Sequence, residues 1–141
     1  MERSIDMRVM RYINLFSKVS HVSTTNCFDY NNQIIFAVPR SQISIAIGKN
    51  ASNVKKLREI LGKKIRVVAL PAEQSTTALS KFISEVVDPV EFTKVEIKNG
   101  LLTITAGRQS KAALIGRNRI REKELGSIMK DFFGIGRVRV A

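Results

Sequence analysis

Ile45-Ala46-Ile47-Gly48-Lys49-Asn50-Ala51 ends an apolar helical segment in Gly-Lys-Asn, just before a second helix begins. Sixty-eight positions later the chain does so again, as Ala113-Leu114-Ile115-Gly116-Arg117-Asn118-Arg119. The chemistry open to these residues is anion binding. Glycine has no Cβ, so the backbone can turn sharply and a ligand can approach closely. A helix starting just past it directs N–H groups and the positive end of its dipole outward. Lys49 and Arg117 add a mobile positive charge, and Asn50 and Asn118 offer an amide donor or a helix cap. A phosphodiester backbone would satisfy all of these groups. The apolar residues ahead of each corner (Ile43, Ile45, Ile47; Ala113, Leu114, Ile115) are placed to line a groove for bases. Neither corner is a P-loop: no Ser or Thr follows the basic residue, and no earlier Gly has the required spacing.

The charge distribution points the same way. The 141 residues carry 24 Lys and Arg against 12 Asp and Glu, a formal net charge of +12. Residues 40–66 hold eight basic residues and one acid, and residues 108–123 hold six and one, so the rest of the chain is neutral. A surface charged only for solubility would spread its charge; this one centres it on the two corners. Such a basic chain calls for a polyanionic partner, most often nucleic acid. Arg40, Lys55 and Lys56 near the first corner, and Arg108 and Lys111 near the second, join the candidate contacts.

Catalysis finds no constellation. His21 and Cys27 are the only residues of their types and have no partner for a catalytic pair. One thiol supplies neither a disulfide nor a zinc cluster. Glu122 and Glu124 are two apart on a predicted helix and do not converge. No catalytic residue, cofactor or metal is expected. No apolar run nears the ~20 residues of a membrane span, and the start, MERSIDMRVM, lacks an apolar signal core. The expectation is a soluble cytoplasmic protein without a membrane partner. Hydrophobic residues make up 44% of the chain, enough for a packed core.

The elements that hold the corners follow from periodicity. Ser4–Ser20 reads as a helix with Val9, Tyr12, Ile13 and Phe16 on one face. His21–Tyr30 is a strand candidate, Asn31-Asn32 a turn, and Gln33–Val38 an apolar strand stopped by Pro39. Arg40 opens a helix that runs to Ile47. After Gly48 the next helix starts at Ala51 or Ser52, with an apolar stripe of Val54, Leu57, Ile60 and Leu61 and with Gly62 past its end. Ile65–Leu70 is a third strand. Pro71-Ala72-Glu73 is a linker with little Gly or Ser, so not a floppy one. The order then repeats: helix Ser75–Val87, strand Phe92–Ile97, the hairpin signal Asn99-Gly100, strand Leu101–Ala106, helix Gln109–Ile115, helix Ile120–Phe133 and strand Ile135–Val140. Phe132-Phe133 reads as core closing the second copy. The offset is 68 from hairpin to second helix and 70 for the first helices, which marks an internal duplication. Two domains are expected, 1–71 and 74–141.

The order helix-strand-strand-helix-helix-strand, with Ile-Gly-x-x between the paired helices, resembles the K-homology (KH) domain in its type II arrangement. The resemblance covers nearly the whole chain, twice. Two such domains with almost no linker are similar to the NusA-like transcription factors of archaea. The implied fold is α+β: two tandem type II KH domains, αββααβ each, with a three-stranded mixed sheet packed on helices. The family's Gly-x-x-Gly loop clamps the backbone of about four nucleotides of a single strand. Carried over by position, Gly48, Lys49 and Asn50 match its first three places, as do Gly116, Arg117 and Asn118. The fourth place holds Ala51 in one copy and Arg119 in the other. The implied partners are single-stranded RNA, as a nascent transcript, and RNA polymerase, with the protein a non-catalytic monomer. The expected RNA-binding residues are Arg40, Ile47, Gly48, Lys49, Asn50, Ala51, Lys55 and Lys56, and Arg108, Lys111, Ile115, Gly116, Arg117, Asn118 and Arg119. The rival readings are an RNA-binding factor of ribosome assembly or RNA processing, and a basic adaptor for an acidic protein.

Overall fold

The structure, a computed structural model, describes residues 6–141, so the first residues of the expected Ser4–Ser20 helix lie outside the described part. The described residues divide into two compact units, residues 6–70 and Pro71–Ala141. The first contains α1 (Met7–Ser20), β1 (Cys27–Tyr30), β2 (Gln33–Val38), α2 (Ile43–Ile47), α3 (Ser52–Leu61) and β3 (Lys64–Ala69). The second contains α4 (Thr76–Val87), β4 (Lys94–Lys98), β5 (Leu101–Thr105), α5 (Arg108–Ile115), α6 (Ile120–Phe133) and β6 (Arg137–Val140).

Each sheet has three strands with the hairpin's second strand in the centre. Asn31 and Asn32 take positive φ of 51° and 60°, and Asn99 and Gly100 take 51° and 77°, the twist that lets two-residue turns join antiparallel strands. In the first unit the hairpin pairs Cys27 with Phe36 and Tyr30 with Gln33. The third strand then returns parallel, with Gln33 opposite Lys64. The second unit does the same, with Lys98 opposite Leu101 and Leu101 opposite Arg137. A parallel return needs a crossover, and in both units the crossover is the helix pair that contains the glycine corner.

Asp6 caps α1 by accepting a hydrogen bond from the Val9 N–H at 2.8 Å. Spaced four apart, Tyr12 and Phe16 are buried on one face, with Val9 and Ile13 partly buried beside them. Phe16 stacks on Phe36 of the central strand, with ring centroids 4.2 Å apart. Ala46 of α2 and Leu57 of α3 complete this core at zero exposure. In the second unit Phe82 of α4 meets Phe133 of α6 edge to face at 5.1 Å, over buried Leu102, Ile104, Leu114 and Leu125. Arg8 ties α1 to β1, reaching Asp29 at 2.8 Å and lying over the Tyr12 ring. The hydrogen bond to Asp29 raises the pKa of its guanidinium above the usual value.

The strand expected over residues 21–30 begins only at Cys27. His21, at φ 61°, ends α1 in the left-handed region. Ser20 Oγ donates back to the Phe16 carbonyl at 2.7 Å, and Thr24 Oγ1 donates to the Ala37 carbonyl at 2.7 Å. These hydroxyls offer the backbone partners outside the sheet ladder, and the segment stays irregular. The helix expected from Arg40 to Ile47 is a 3₁₀ turn at Arg40–Gln42 followed by α2. Ile60, expected in the core stripe of α3, is 46% exposed.

Cutting Phe16 back to Ala removes a ring packed at full burial, a change that costs about 3–5 kcal/mol. Urea denaturation of Phe16→Ala should show a loss in that range, while Met10→Ala, on the exposed side of the same helix, should shift stability by less than about 0.5 kcal/mol.

Candidate nucleic-acid interface

α2 ends when Gly48 takes φ 83° and ψ 165°; α5 ends when Gly116 takes φ 73° and ψ 172°. This combination is essentially open to glycine alone. The Gly48 N–H still closes the helix on the Ser44 carbonyl at 3.0 Å, and the Gly116 N–H does so on Ala112 at 2.9 Å. A single 3₁₀ turn follows, Lys49–Ala51 or Arg117–Arg119. In it Asn50 (φ 56°, ψ 32°) and Asn118 (φ 56°, ψ 29°) are left-handed. So are Ala51 (φ 59°) and Arg119 (φ 60°). The Ala51 N–H returns to the Gly48 carbonyl at 3.1 Å, and the Arg119 N–H to Gly116 at 3.2 Å. Two sequences that share only Gly and Asn at these four places thus adopt one backbone path.

The structure revises the role of the asparagines. Neither caps the following helix: the cap residues of α3 and α6 are Ala51 and Arg119, and neither makes a side-chain cap bond. Asn50 and Asn118 instead hold the first of two left-handed positions, which Asn tolerates better than most residues. What braces the corner from below is absent from the sequence reading. Asn53 Nδ2 donates to the Ile45 carbonyl at 3.1 Å and, with Ser52, lies against Gly48, where a Cβ would come within 2.9 Å of it. Arg121 takes that place under Gly116: a Cβ there would meet its side chain at 2.7 Å and its backbone nitrogen at 3.0 Å.

Around the first corner Lys49, Asn50, Lys55 and Lys56 are exposed, with Ile47, Gly48 and Ala51 half-buried. The sequence-predicted residues 47–51, 55 and 56 therefore lie together, on the turn and on the start of α3. Ile45 is 60% exposed, while Ala46 beside it is fully buried. One side of α2 thus remains apolar and open next to the cations. Arg117, Asn118 and Arg119 are exposed at the second corner, with Ile115 and Gly116 half-buried. Arg40 and Arg108 stand at the opposite ends of the helical segments that the corners terminate, about 12 Å away at about 1.5 Å per residue. They do not gather at the turn, and Lys111 lies between. In the second unit an open groove of about 320 Å³ runs between α6 and β6, lined by Glu122, Lys123, Ser127, Lys130 and Arg137 among others.

The two acids near the second corner, Glu122 and Glu124, do not converge on each other but each takes an arginine. Glu122 Oε1 accepts from Arg119 at 3.0 Å, and Glu122 Oε2 accepts from the Val140 backbone N–H at 2.9 Å. Glu124 pairs with Arg121. The signal was present as two Arg–Glu pairs spaced i, i+3, Arg119–Glu122 from the cap and Arg121–Glu124 within α6. Among the described residues no group of three or more His, Cys, Asp or Glu could hold a metal ion, and no helix is long and apolar enough to cross a membrane.

The two units have the architecture of tandem type II KH domains, and the family model described as the KH domain matches residues 12–71, so the first unit is similar to a KH domain. Over 61–77% of its length the chain is similar to archaeal proteins named as NusA. It is 31% identical over 90 residues to the "Probable transcription termination protein NusA" of Methanococcus vannielii, a match covering 64% of this chain and 49% of that protein. It is 27% identical over 112 residues to the protein of that name from Halococcus morrhuae, covering 77% of each. The chain thus matches only about half the length of the Methanococcus relative. A solved structure titled "Crystal structure of APE1850" aligns with a TM-score of 0.67 and 27% identity over 97% of this chain and all of the other.

The strained places are testable by stability. Ala51→Gly relieves a left-handed alanine and should raise stability by about 1 kcal/mol. Gly48→Ala forces a Cβ into a glycine-only conformation and into Asn53, and should lower it by about 2 kcal/mol. Thermal melts of the two variants should move in opposite directions.

Proposed function

We propose that this chain binds single-stranded RNA at its glycine corners and acts as a non-catalytic transcription factor, a termination or elongation factor of the NusA type working on nascent RNA beside RNA polymerase. The observation that carries the RNA reading is the duplicated corner itself: one glycine-dependent backbone path, built twice, at the centre of each basic window. Gly48 sets the sharp turn that presents the loop, Lys49 and Lys55–Lys56 supply the charge, and exposed Ile45 on α2 offers an apolar surface for bases. The KH match to the first unit supports a single-strand ligand, since KH loops clamp the backbone of unpaired nucleotides. The names of the archaeal relatives support the step to transcription.

The charge concentration also favours RNA over an acidic protein partner. A phosphate track rewards cations clustered around one backbone turn, whereas a protein interface wants them interleaved with apolar anchors. Binding to a fluorescein-labelled single-stranded RNA, followed by anisotropy over a range of salt, separates the two. Each phosphate neutralised on a single strand contributes about 0.7 to the slope of log K against log salt. Lys49→Asp with Asn50→Asp should lower affinity at least tenfold and flatten the slope by roughly one phosphate's contribution or more, with the melting curve retained. A wild-type protein that binds no single-stranded RNA would overturn the proposal.

A further inference from the structure

The two corners share a backbone path but differ in what surrounds it. At the offset of 68, Glu122 stands where the first copy has Val54, and Glu124 stands where it has Lys56. α3 carries Lys55 and Lys56 in its first turns with Glu59 its one acid, and among the described residues neither they nor Lys49 has an ion-pair partner. The corresponding stretch of α6, Arg121-Glu122-Lys123-Glu124, is neutral overall. Glu122 is also fixed in place. Its side chain is only 12% exposed, against 65% for Arg119, and the N–H of Val140, on the edge strand of the sheet, anchors its second oxygen. A carboxylate held by a backbone donor keeps its position when a neighbouring ligand arrives, so the mobile member of the pair is Arg119. The residue at the fourth place of the loop, which would otherwise add a phosphate contact, already has an anion.

We propose that Glu122 is an internal competitor for the RNA phosphate, so that the first corner takes single-stranded RNA first and the second engages only when Arg119 is drawn away from Glu122. This rests on the RNA-binding reading above and adds an order to it. Lys123, Lys130 and Arg137 still line the groove beside Glu122, so the second unit is a weaker site and not a silent one.

The test is an amide-resolved NMR titration of the intact chain with a short single-stranded oligoribonucleotide of mixed sequence. In the wild type the Gly48–Ala51 amides should saturate at RNA concentrations up to about fivefold below those needed for Gly116–Arg119, the scale set by one ion pair near the surface. Glu122→Gln keeps an acceptor for the Val140 N–H but removes the charge. It should bring the second corner's apparent Kd down by about fivefold and leave the first corner's within twofold. Simultaneous saturation of both corners in the wild type would overturn the inference while the RNA reading stands, and this comparison needs no variant. A well-dispersed Glu122→Gln spectrum with an unchanged second corner would overturn it as well. RNA binding that moves neither corner's amides would sink the RNA reading of the corners themselves.

Discussion

Everything in both units turns on a backbone conformation that only glycine adopts at low cost. At Gly48 and Gly116 the chain combines a positive φ with an extended ψ between two helices. That one residue stops the first helix without a long loop, and two left-handed residues aim the second helix back across the sheet. The parallel third strand depends on this crossover, since the hairpin and the return strand share the central strand. The core depends on it too, because Ala46 and Leu57, on either side of the first corner, are fully buried. A corner held so firmly by what lies beneath it presents its outer face in a fixed form. Pre-organisation of this kind lowers the ordering cost of binding an extended, flexible strand.

The electrostatics then divide the two copies. The first corner combines a lysine on the turn with two more on the next helix, and Ile45 of the preceding helix is exposed. The second keeps the turn but binds its own arginines with Glu122 and Glu124. The two copies keep the backbone path of the turn and differ in the charge on the helix that follows it. The glycine is constrained by φ; the charge on the following helix is not.

Much of this was legible in the sequence. The hairpins announced themselves in Asn31-Asn32 and Asn99-Gly100, the central strand in Gln33–Val38, and the corners in Ile-Gly-basic-Asn. Local patterns encode these features, and the duplication counted each of them twice. What the sequence hid is non-local or runs against propensity. Residues 21–26 look β-branched and strand-like, yet Thr24 spends its hydroxyl on the Ala37 carbonyl, thirteen residues away. Ala51 and Arg119 give no hint of left-handed backbone, since neither residue type favours it. Their position is imposed by the glycine three residues earlier and by the helix that must start next. Glu122 reads as an ordinary helical acid until β6 brings the Val140 N–H to it from eighteen residues on. From sequence the asparagines offer an amide donor or a helix cap; the left-handed place they fill is set by the turn and not by the local pattern.

The central claim is that RNA lies against the glycine corner and the helix that follows it. The measurement that meets it most directly is photo-crosslinking of the intact chain to a 4-thiouridine-substituted single-stranded RNA, with the crosslinked peptides mapped by mass spectrometry. The account predicts crosslinks within residues 43–56, on α2, the turn and the start of α3. Crosslinks confined to α1 or to the β1–β2 hairpin, with none in that stretch, would contradict it.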